Sequence, residues 1–338
     1  MVASPVTPLR STQVGGAQAF VSDLATGLVR RGHDVRLHCS EGSEVPGVQL
    51  VMVAAPTDAA AALVMPAGHA PSPAPGVAAA LEAIFRSIAP DTDVVSQHAF
   101  DAPAFEAAAN GAPVLHTLHM PPLVPAVLKA VARVDPAHLA TVSESCRRSW
   151  KDAGVEIAWV LRNGVPDLRL EDAPVDRSAL VAGRISPEKG IEHALQAARG
   201  AGLPVRVAGA AYDPSYDVDL GDAERLGALP RDELRRVMAR TAVTVCAVRW
   251  DEPFGLVAAE AQMAGCPVAA YRRGALPEVV EEGVTGFFAE PDDVDRLSDA
   301  IRRCLALDRN AVRASALRRL GLEAALDGYE AALREVAR

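Results

Sequence analysis

The sequence predicts an α/β protein made of two halves, each a parallel sheet flanked by helices. Three observations carry this. Short apolar runs alternate with helix-periodic stretches, the pattern that strand–helix–strand units with right-handed crossovers impose. The alternation breaks in an acidic, proline-containing stretch at 167–178 and then restarts. At 338 residues the chain has the length for two or three domains.

In the first half, apolar residues at Phe20, Val21, Leu24, Leu28 and Val29 mark an amphipathic helix over 20–31, with Gly32 as its stop. Residues 34–38 and 48–53 read as strands, and the Ala/Pro/Gly-rich stretch 54–76 as an irregular connection. A helix is expected over 77–88, a strand over 93–96, a helix over 103–109 and a strand over 114–118. A further strand over 139–142 leads into a helix over 144–152. Residues 158–161 are apolar, and Asn163-Gly164-Val165-Pro166 reads as a turn. The second series opens with the strand-like run before Gly183. It continues with helix 191–199, strand 205–208, helix 231–240, strand 243–248, helix 256–263 and strand 268–271. A helical tail from 294 to 338 is interrupted near Arg309–Asn310 and Gly321. The domains are therefore expected at 1–167, joined by a returning C-terminal helix of about 322–338, and at 168–321.

Composition removes several function classes. Half the residues are hydrophobic and 23% are charged, which suits a packed core rather than disorder. The net charge of −9 gives no global positive field to gather nucleic acid. No apolar run reaches the length of a membrane span, and the first ten residues do not read as a signal peptide. The five cysteines, Cys39, Cys146, Cys246, Cys266 and Cys304, are scattered without a Cys-x-x-Cys pair. This suits free thiols in a reducing cytoplasm and no zinc site.

The most informative segment is Trp250-Asp-Glu-Pro-Phe-Gly-Leu-Val-Ala-Ala-Glu-Ala-Gln-Met-Ala-Gly265, which leaves a strand and enters a helix. Ligands of open α/β sheets bind beyond the carboxyl ends of strands. Phe254, Gly255, Leu256 and Val257 are expected in the first helical turn, whose backbone N–H groups have no intrahelical partner and can hold a phosphate. Gly255 lets the backbone approach it closely. Glu260 is placed to accept hydrogen bonds from a ribose diol, and Glu252, behind Pro253, lies in the preceding loop. Alone, such a glutamate pair reads as a cap and a solvated helix position; the Pro-Phe-Gly insertion argues against that. In Gly183-Arg-Ile-Ser-Pro-Glu-Lys-Gly190, Arg184 and Lys189 sit across a turn where both heads can meet a diphosphate, Arg as a fork and Lys as a compact charge. Alone they would be ordinary surface cations. Gly15-Gly16 before the first helix can cradle an anion or simply turn the chain. His119 follows a strand and precedes Pro121-Pro122; His98 follows the strand before it and reads as structural. The Asp-x-Asp pairs Asp217/Asp219 and Asp293/Asp295 read as incidental, the second as acidic enrichment at a helix start.

Taken in order, Gly15-Gly16, Asn163-Gly164-Val165, Gly183-Arg184…Lys189-Gly190, Glu252-Pro253-Phe254-Gly255…Glu260-Ala261, Gly265-Cys-Pro-Val268, Pro277-Glu278 and Gly283-Val-Thr-Gly286 resemble the retaining, nucleotide-sugar-dependent glycosyltransferases of family 4. The resemblance spans about residues 15–305. It implies a GT-B fold, two Rossmann-like domains facing a deep cleft, with the donor held mainly by the second. Arg184 and Lys189 would then bind the donor diphosphate and Glu260 the ribose. Glu252 would meet the transferred sugar, the amides of Phe254 to Val257 its hydroxyls or phosphate, and Gly16 would bring amides to the diphosphate. His119 would be the histidine that contacts the sugar near the reacting centre. The implied catalytic set is His119, Arg184, Lys189 and Glu252, with no metal and no cofactor. The donor would be a nucleoside-diphosphate sugar, UDP-linked by preference.

The chain departs from the family pattern at Met1 to Gln13, which is short and broken by Pro5 and Pro8. It also departs between Gly209 and Gly227, the base-pocket region, which is brief, acidic and carries Tyr212 and Tyr216. Residues 54–76 lack a basic amphipathic face, so the expected acceptor is a small molecule or oligosaccharide rather than a membrane lipid. Decoration of an antibiotic, such as an avilamycin-type oligosaccharide, is the specific expectation. The enzyme is expected to be cytoplasmic, a monomer or homodimer, without nucleic-acid partners or stable membrane association. The alternatives are a synthase acting on a free sugar or sugar phosphate, an epimerase on the same fold, and a non-catalytic nucleotide-binding module.

Overall fold

The structure, a computed structural model, describes residues 1–10, 15–59, 74–167, 174–211 and 216–338. The chain divides into two compact units, Met1–Gly164 with Leu322–Arg338, and Val165–Gly321. The boundary falls at Gly164/Val165 rather than at 167/168, because the Val165 amide donates to Leu320 O and so belongs to the second unit.

The first unit runs α1 (Gly16–Arg30), β1 (Arg36–Ser40), β2 (Gln49–Val53), α2 (Pro75–Arg86), β3 (Val95–Gln97), α3 (Pro103–Glu106), β4 (Val114–Leu118), α4 (Pro125–Val131), β5 (Leu139–Thr141), α5 (Glu144–Asp152) and β6 (Trp159–Val160). All its strand pairs are parallel, in the orders β1-β2 and β3-β4-β5-β6. The segment broken by Pro5 and Pro8 supplies a single rung. Val2 bridges His38 of β1 and Gln97 of β3, and so joins the two sets. Strand β6 is short, and α4, which the periodicity did not announce, starts at Pro125.

The second unit holds β7 (Asp176–Ala182), α6 (Ile191–Gly200), β8 (Val205–Ala208), β9 (Glu224–Gly227), α7 (Arg231–Arg240), β10 (Thr241–Cys246), α8 (Leu256–Met263), β11 (Val268–Tyr271), α9 (Leu276–Val279), β12 (Gly286–Ala289), α10 (Val294–Cys304) and α11 (Arg309–Leu320). Its six strands lie parallel in the order β12-β11-β10-β7-β8-β9. Helix α12 (Leu322–Val336) returns to the first unit. There Leu326 and Tyr329 join Phe20, Leu24 and Leu37 in one buried cluster, and Arg31 bonds Asp327 at 2.8 Å.

In each unit apolar strand side chains pack with helix residues in buried clusters. The strands accordingly read as Val/Leu/Ala runs. In the second unit, the chain moves outward from β7 to β8 and β9, then returns to pair β10 on the other side of β7. The sheet's topological switch point is therefore between β7 and β10, where open α/β sheets bind ligands beyond the carboxyl ends. All five cysteines are free and buried. Among the described residues, no helix is long and apolar enough to cross a membrane.

Candidate functional site

The two loops that the motifs occupy leave the two switch-point strands. Residues 183–190 follow β7, and 247–255 follow β10. They touch: the Arg249 amide donates to Glu188 O at 2.8 Å. Gly190 makes this contact possible. Its φ is +61°, and a Cβ there would stand 2.0 Å from Ala247 O. No side chain fits, so the glycine is fixed by the approach of two backbones rather than by flexibility.

Where the loops meet, Lys189 Nζ lies 2.7 Å from Glu252 Oε2, and Trp250 Nε1 donates to the same oxygen at 2.7 Å. The Lys189 ammonium also sits 5.3 Å from the centre of the Trp250 ring. Lys189 and Glu252, 63 positions apart, are thus one unit, and Trp250 orients it. Glu252 is buttressed from behind by the turn after β11. Gly274 has φ +57°, a Cβ on it would lie 2.3 Å from Glu252 N, and the Ala275 amide donates to Glu252 O at 2.8 Å. Arg184 does not point freely to solvent; its guanidinium is 3.6 Å from Glu188 Oε1, which accepts from Ser186 Oγ at 2.6 Å.

Helix α8 begins at Leu256, with Gly255 as a left-handed N-cap (φ +92°) that offers no side-chain cap. Phe254 and Gly255, expected in the first turn, therefore precede it. The helix has no acidic residue in that turn, so its amides and positive dipole end are available to an anion. It is buried on nearly every side, as a central helix must be. Glu260 is 5% exposed, which excludes the solvated-position alternative. Its Oε1 accepts from Arg231 Nε at 2.5 Å and Arg235 Nη2 at 3.0 Å, both on α7. Two arginines on one oxygen, Arg235 buried and Arg231 half-buried, hold the carboxylate in a fixed direction, with Oε2 outside both bonds. Glu260 is thus more constrained than the ribose role alone implies.

In the first unit, α1 starts at Gly16, with Gly15 as an extended N-cap lacking a side-chain bond; residues 11–14 before it lie outside the described residues. His98 and His119 follow β3 and β4 directly. Both are buried, and His98 Nδ1 is 2.9 Å from His119 Nε2. Ser96 Oγ is 2.9 Å from His98 Nε2. Burial pushes His119 down to about 4, and burial with the neighbouring His119 pushes His98 well down, so both rings are neutral at pH 7. The purely structural reading of His98 is therefore incomplete, because it contacts the histidine singled out by the motifs.

Sequence reasoning missed Trp250, Arg231, Arg235 and Ser96 as parts of these arrangements. Trp250 could have been found from its place two residues before Glu252; the arginines and Ser96 had no local signal. The Asp-x-Asp pairs are local features: Asp293 Oδ1 caps α10 by accepting from Arg296 N, and Asp219 Oδ1 accepts from Gly221 N. Of the base-pocket tyrosines, Tyr216 donates to Glu192 Oε1 at 2.7 Å, and Tyr212 lies outside the described residues.

Two parallel-sheet Rossmann-like units, with a polar cluster at the second unit's switch point, define an α/β protein of the GT-B glycosyltransferase class. Residues 173–319 match the Glycosyl transferases group 1 family, and residues 14–168 match Glycosyltransferase Family 4. The chain belongs to these family 4-like GT-B glycosyltransferases. Among curated relatives it is 36% identical over 171 residues to the D-inositol 3-phosphate glycosyltransferase of Mycobacterium marinum, covering 46% of this chain and 36% of that protein. It is 39% identical over 158 residues to that of Mycobacterium sp. (strain KMS), covering 42% and 35%. The matches thus span about a third of the length of these relatives. Two solved structures share the fold. AviGT4, a glycosyltransferase involved in avilamycin A biosynthesis, has a TM-score of 0.77 at 23% identity, covering 99% of this chain and 96% of that one. Anabaena Alr3699/HepE, in complex with UDP-glucose, has a TM-score of 0.75 at 18% identity, covering 99% and 98%.

Proposed function

We propose that this chain is a retaining glycosyltransferase that moves a sugar from a nucleoside-diphosphate sugar to a hydroxyl of a small-molecule or oligosaccharide acceptor. The observation that carries the reading is the junction of the two switch-point loops, where Lys189, Glu252 and Trp250 lock together beside the uncapped N-terminus of α8. A leaving diphosphate needs concentrated positive charge that is already in place. Lys189, Arg184 and the amides of Leu256 and Val257 supply it, and the charge is worth most where it is preorganised. In this reading Lys189 exchanges its bond to Glu252 for the diphosphate. Glu252, relieved of the ammonium and still held by Trp250, then accepts from a hydroxyl of the sugar. Glu260, aimed by its two arginines, accepts from the ribose diol. Gly15 and Gly16 bring the start of α1 to the phosphates, and His119 serves the sugar.

The mechanism we favour is front-face attack, in which a diphosphate oxygen takes the acceptor proton as the sugar becomes oxocarbenium-like. The site residues assigned to the donor include no carboxylate set apart as a nucleophile, and positive side chains fill the role a metal would otherwise have. A UDP-linked donor is supported by the neighbour solved with UDP-glucose. The AviGT4 likeness supports an antibiotic-oligosaccharide acceptor, and the inositol-phosphate relatives support a phosphorylated polyol or sugar. The test is a thermal-shift panel of nucleoside diphosphates and their sugars, since a ligand that binds only the native state raises its stability by mass action. A Tm increase with one diphosphate family is the expected result; no shift with any of them would refute the reading.

A further inference from the structure

A cavity in the first unit lies at the other end of the strands from His98 and His119. Its volume is about 360 Å³, within the range of small-molecule pockets. The segments leading into β1 and β3 line it, together with α12. These strands run parallel, so this is their amino end, whereas His98 and His119 follow carboxyl ends. Leu28, Ile88 and Leu333 give it apolar walls, and His38 of β1, only 5% exposed, lines it as well. Ser87, which follows α2, sets the His38 tautomer. Ser87 Oγ is 2.7 Å from Ile84 O, and two oxygens that close need a hydrogen between them, which only the hydroxyl can supply. The hydroxyl has no second hydrogen, so in its 3.1 Å contact with His38 the ring Nδ1–H donates. Burial pushes His38 down to about 4, so the ring is neutral at pH 7 and its Nε2 carries a bare lone pair. Among the described residues nothing donates to Nε2, and it is not sealed from solvent. A buried ring thus turns an unfilled acceptor to the cavity.

The charges around the mouth leave one carboxylate over. Arg36 is held by Asp91 through bonds of 2.8 and 3.0 Å, with Asp34 at 3.7 Å. Glu330 has His33 at 2.8 Å and Arg334 at 3.6 Å. The Met1 amine, lowered to about 5 by burial, is bound to Arg36 O at 2.7 Å and adds no positive charge at pH 7. Asp93 also lines the cavity, is exposed, and has no ion pair among the described residues. Apolar walls, an unfilled neutral acceptor deep inside and an unpaired carboxylate at the mouth are complementary to one kind of molecule. We propose that the cavity binds a small aromatic amine whose hydroxyl or ring N–H donates to His38 Nε2 while its protonated amine meets Asp93. A carboxylate or phosphate would meet a lone pair inside and an uncompensated negative charge at the mouth, so anions are disfavoured. The amine binds whether or not the chain transfers a sugar.

Titration of tyramine into the full-length protein, followed by ligand-observed NMR, tests the site. Tyramine should bind saturably at millimolar concentration or below. Phenethylamine lacks the hydroxyl and should bind about fivefold more weakly, the loss of one neutral hydrogen bond. Hydroxyphenylpropionate keeps the hydroxyl but reverses the charge, and should bind at least about tenfold more weakly. Asp93→Asn should weaken tyramine about threefold, as loss of an exposed ion pair does. Leu333→Trp, which fills the cavity from α12, should abolish binding. In the 15N-histidine-labelled protein, His38, assigned by the signal lost in His38→Gln, should be protonated at Nδ1. Its Nε2 signal should move on adding tyramine and stay in place with phenethylamine. Absence of saturable tyramine binding, equal affinity for the three compounds, or Nε2–H on His38 in the free protein overturns the proposal. If Leu333→Trp does not fold, the compound series and Asp93→Asn still decide.

Discussion

The two units solve the problem of burying polar chemistry in opposite ways. The second unit keeps its charges and pairs them: the half-buried Lys189 with Glu252, and the buried Glu260 with buried Arg235 and half-buried Arg231. The first unit buries histidines and neutralises them, with His38, His98, His116 and His119 all pushed down by desolvation. An ionic pair can hold or release a charged ligand group at the cost of desolvation, so it suits a diphosphate. A neutral imidazole offers one donor and one acceptor without a charge, so it suits a hydroxyl-rich sugar. On the proposed function the protein needs both, and carries them on separate units.

The comparison can be broken most decisively at Lys189. Lys189→Ala should lower sugar transfer by about 10² or more, with the unfolding transition intact, because one preorganised charge on the leaving group is removed. Unchanged turnover in a donor-hydrolysis assay would remove the ionic half of the contrast. Next in size is Glu260→Gln, which leaves the buried Arg235 and the half-buried Arg231 facing a neutral amide. Stability should fall by about 3 kcal/mol in denaturant unfolding, and nucleotide affinity should fall with it. A neutral effect on both would mean that the arginines are satisfied elsewhere.

The third prediction concerns pH. Each lowered histidine is neutral in both states above about 6.5. As pH falls towards 4, the unfolded chain takes up protons that the folded one refuses, so stability declines across that window. One pH unit is worth about 1.4 kcal/mol per histidine at most. Thermal unfolding should therefore show Tm falling between pH 6.5 and 5, and a flat Tm would contradict the neutral-histidine account. The smallest effect expected is for His119→Ala, which should reduce turnover about tenfold while nucleotide affinity changes little. Equal losses in both would make the histidine merely structural.

Much of this was legible in the sequence, for a physical reason. Strand β4 and helices α5, α7 and α8 fall where apolar periodicity and helix starts place them, because those signals are local. Strands β9 and β12 were not anticipated. Glu224–Gly227 is an exposed edge strand with no apolar run, and Gly286–Ala289 is a four-residue Gly-Phe-Phe-Ala segment hidden in a turn-rich stretch. Lys189, Glu252 and Glu260 were visible as motif residues. Their partners were not, since Arg231 and Arg235 reach Glu260 from 29 and 25 positions away, and Ser96 meets His98 through a strand geometry that spacing alone does not announce.

The central claim is that Lys189, at the junction of the β7 and β10 loops, binds the donor diphosphate. Calorimetric titration of UDP into the wild-type protein and Lys189→Ala tests it directly. The account predicts a Kd at least tenfold weaker in the variant with the same thermal unfolding profile in the absence of ligand. An equal Kd in the two proteins would contradict it.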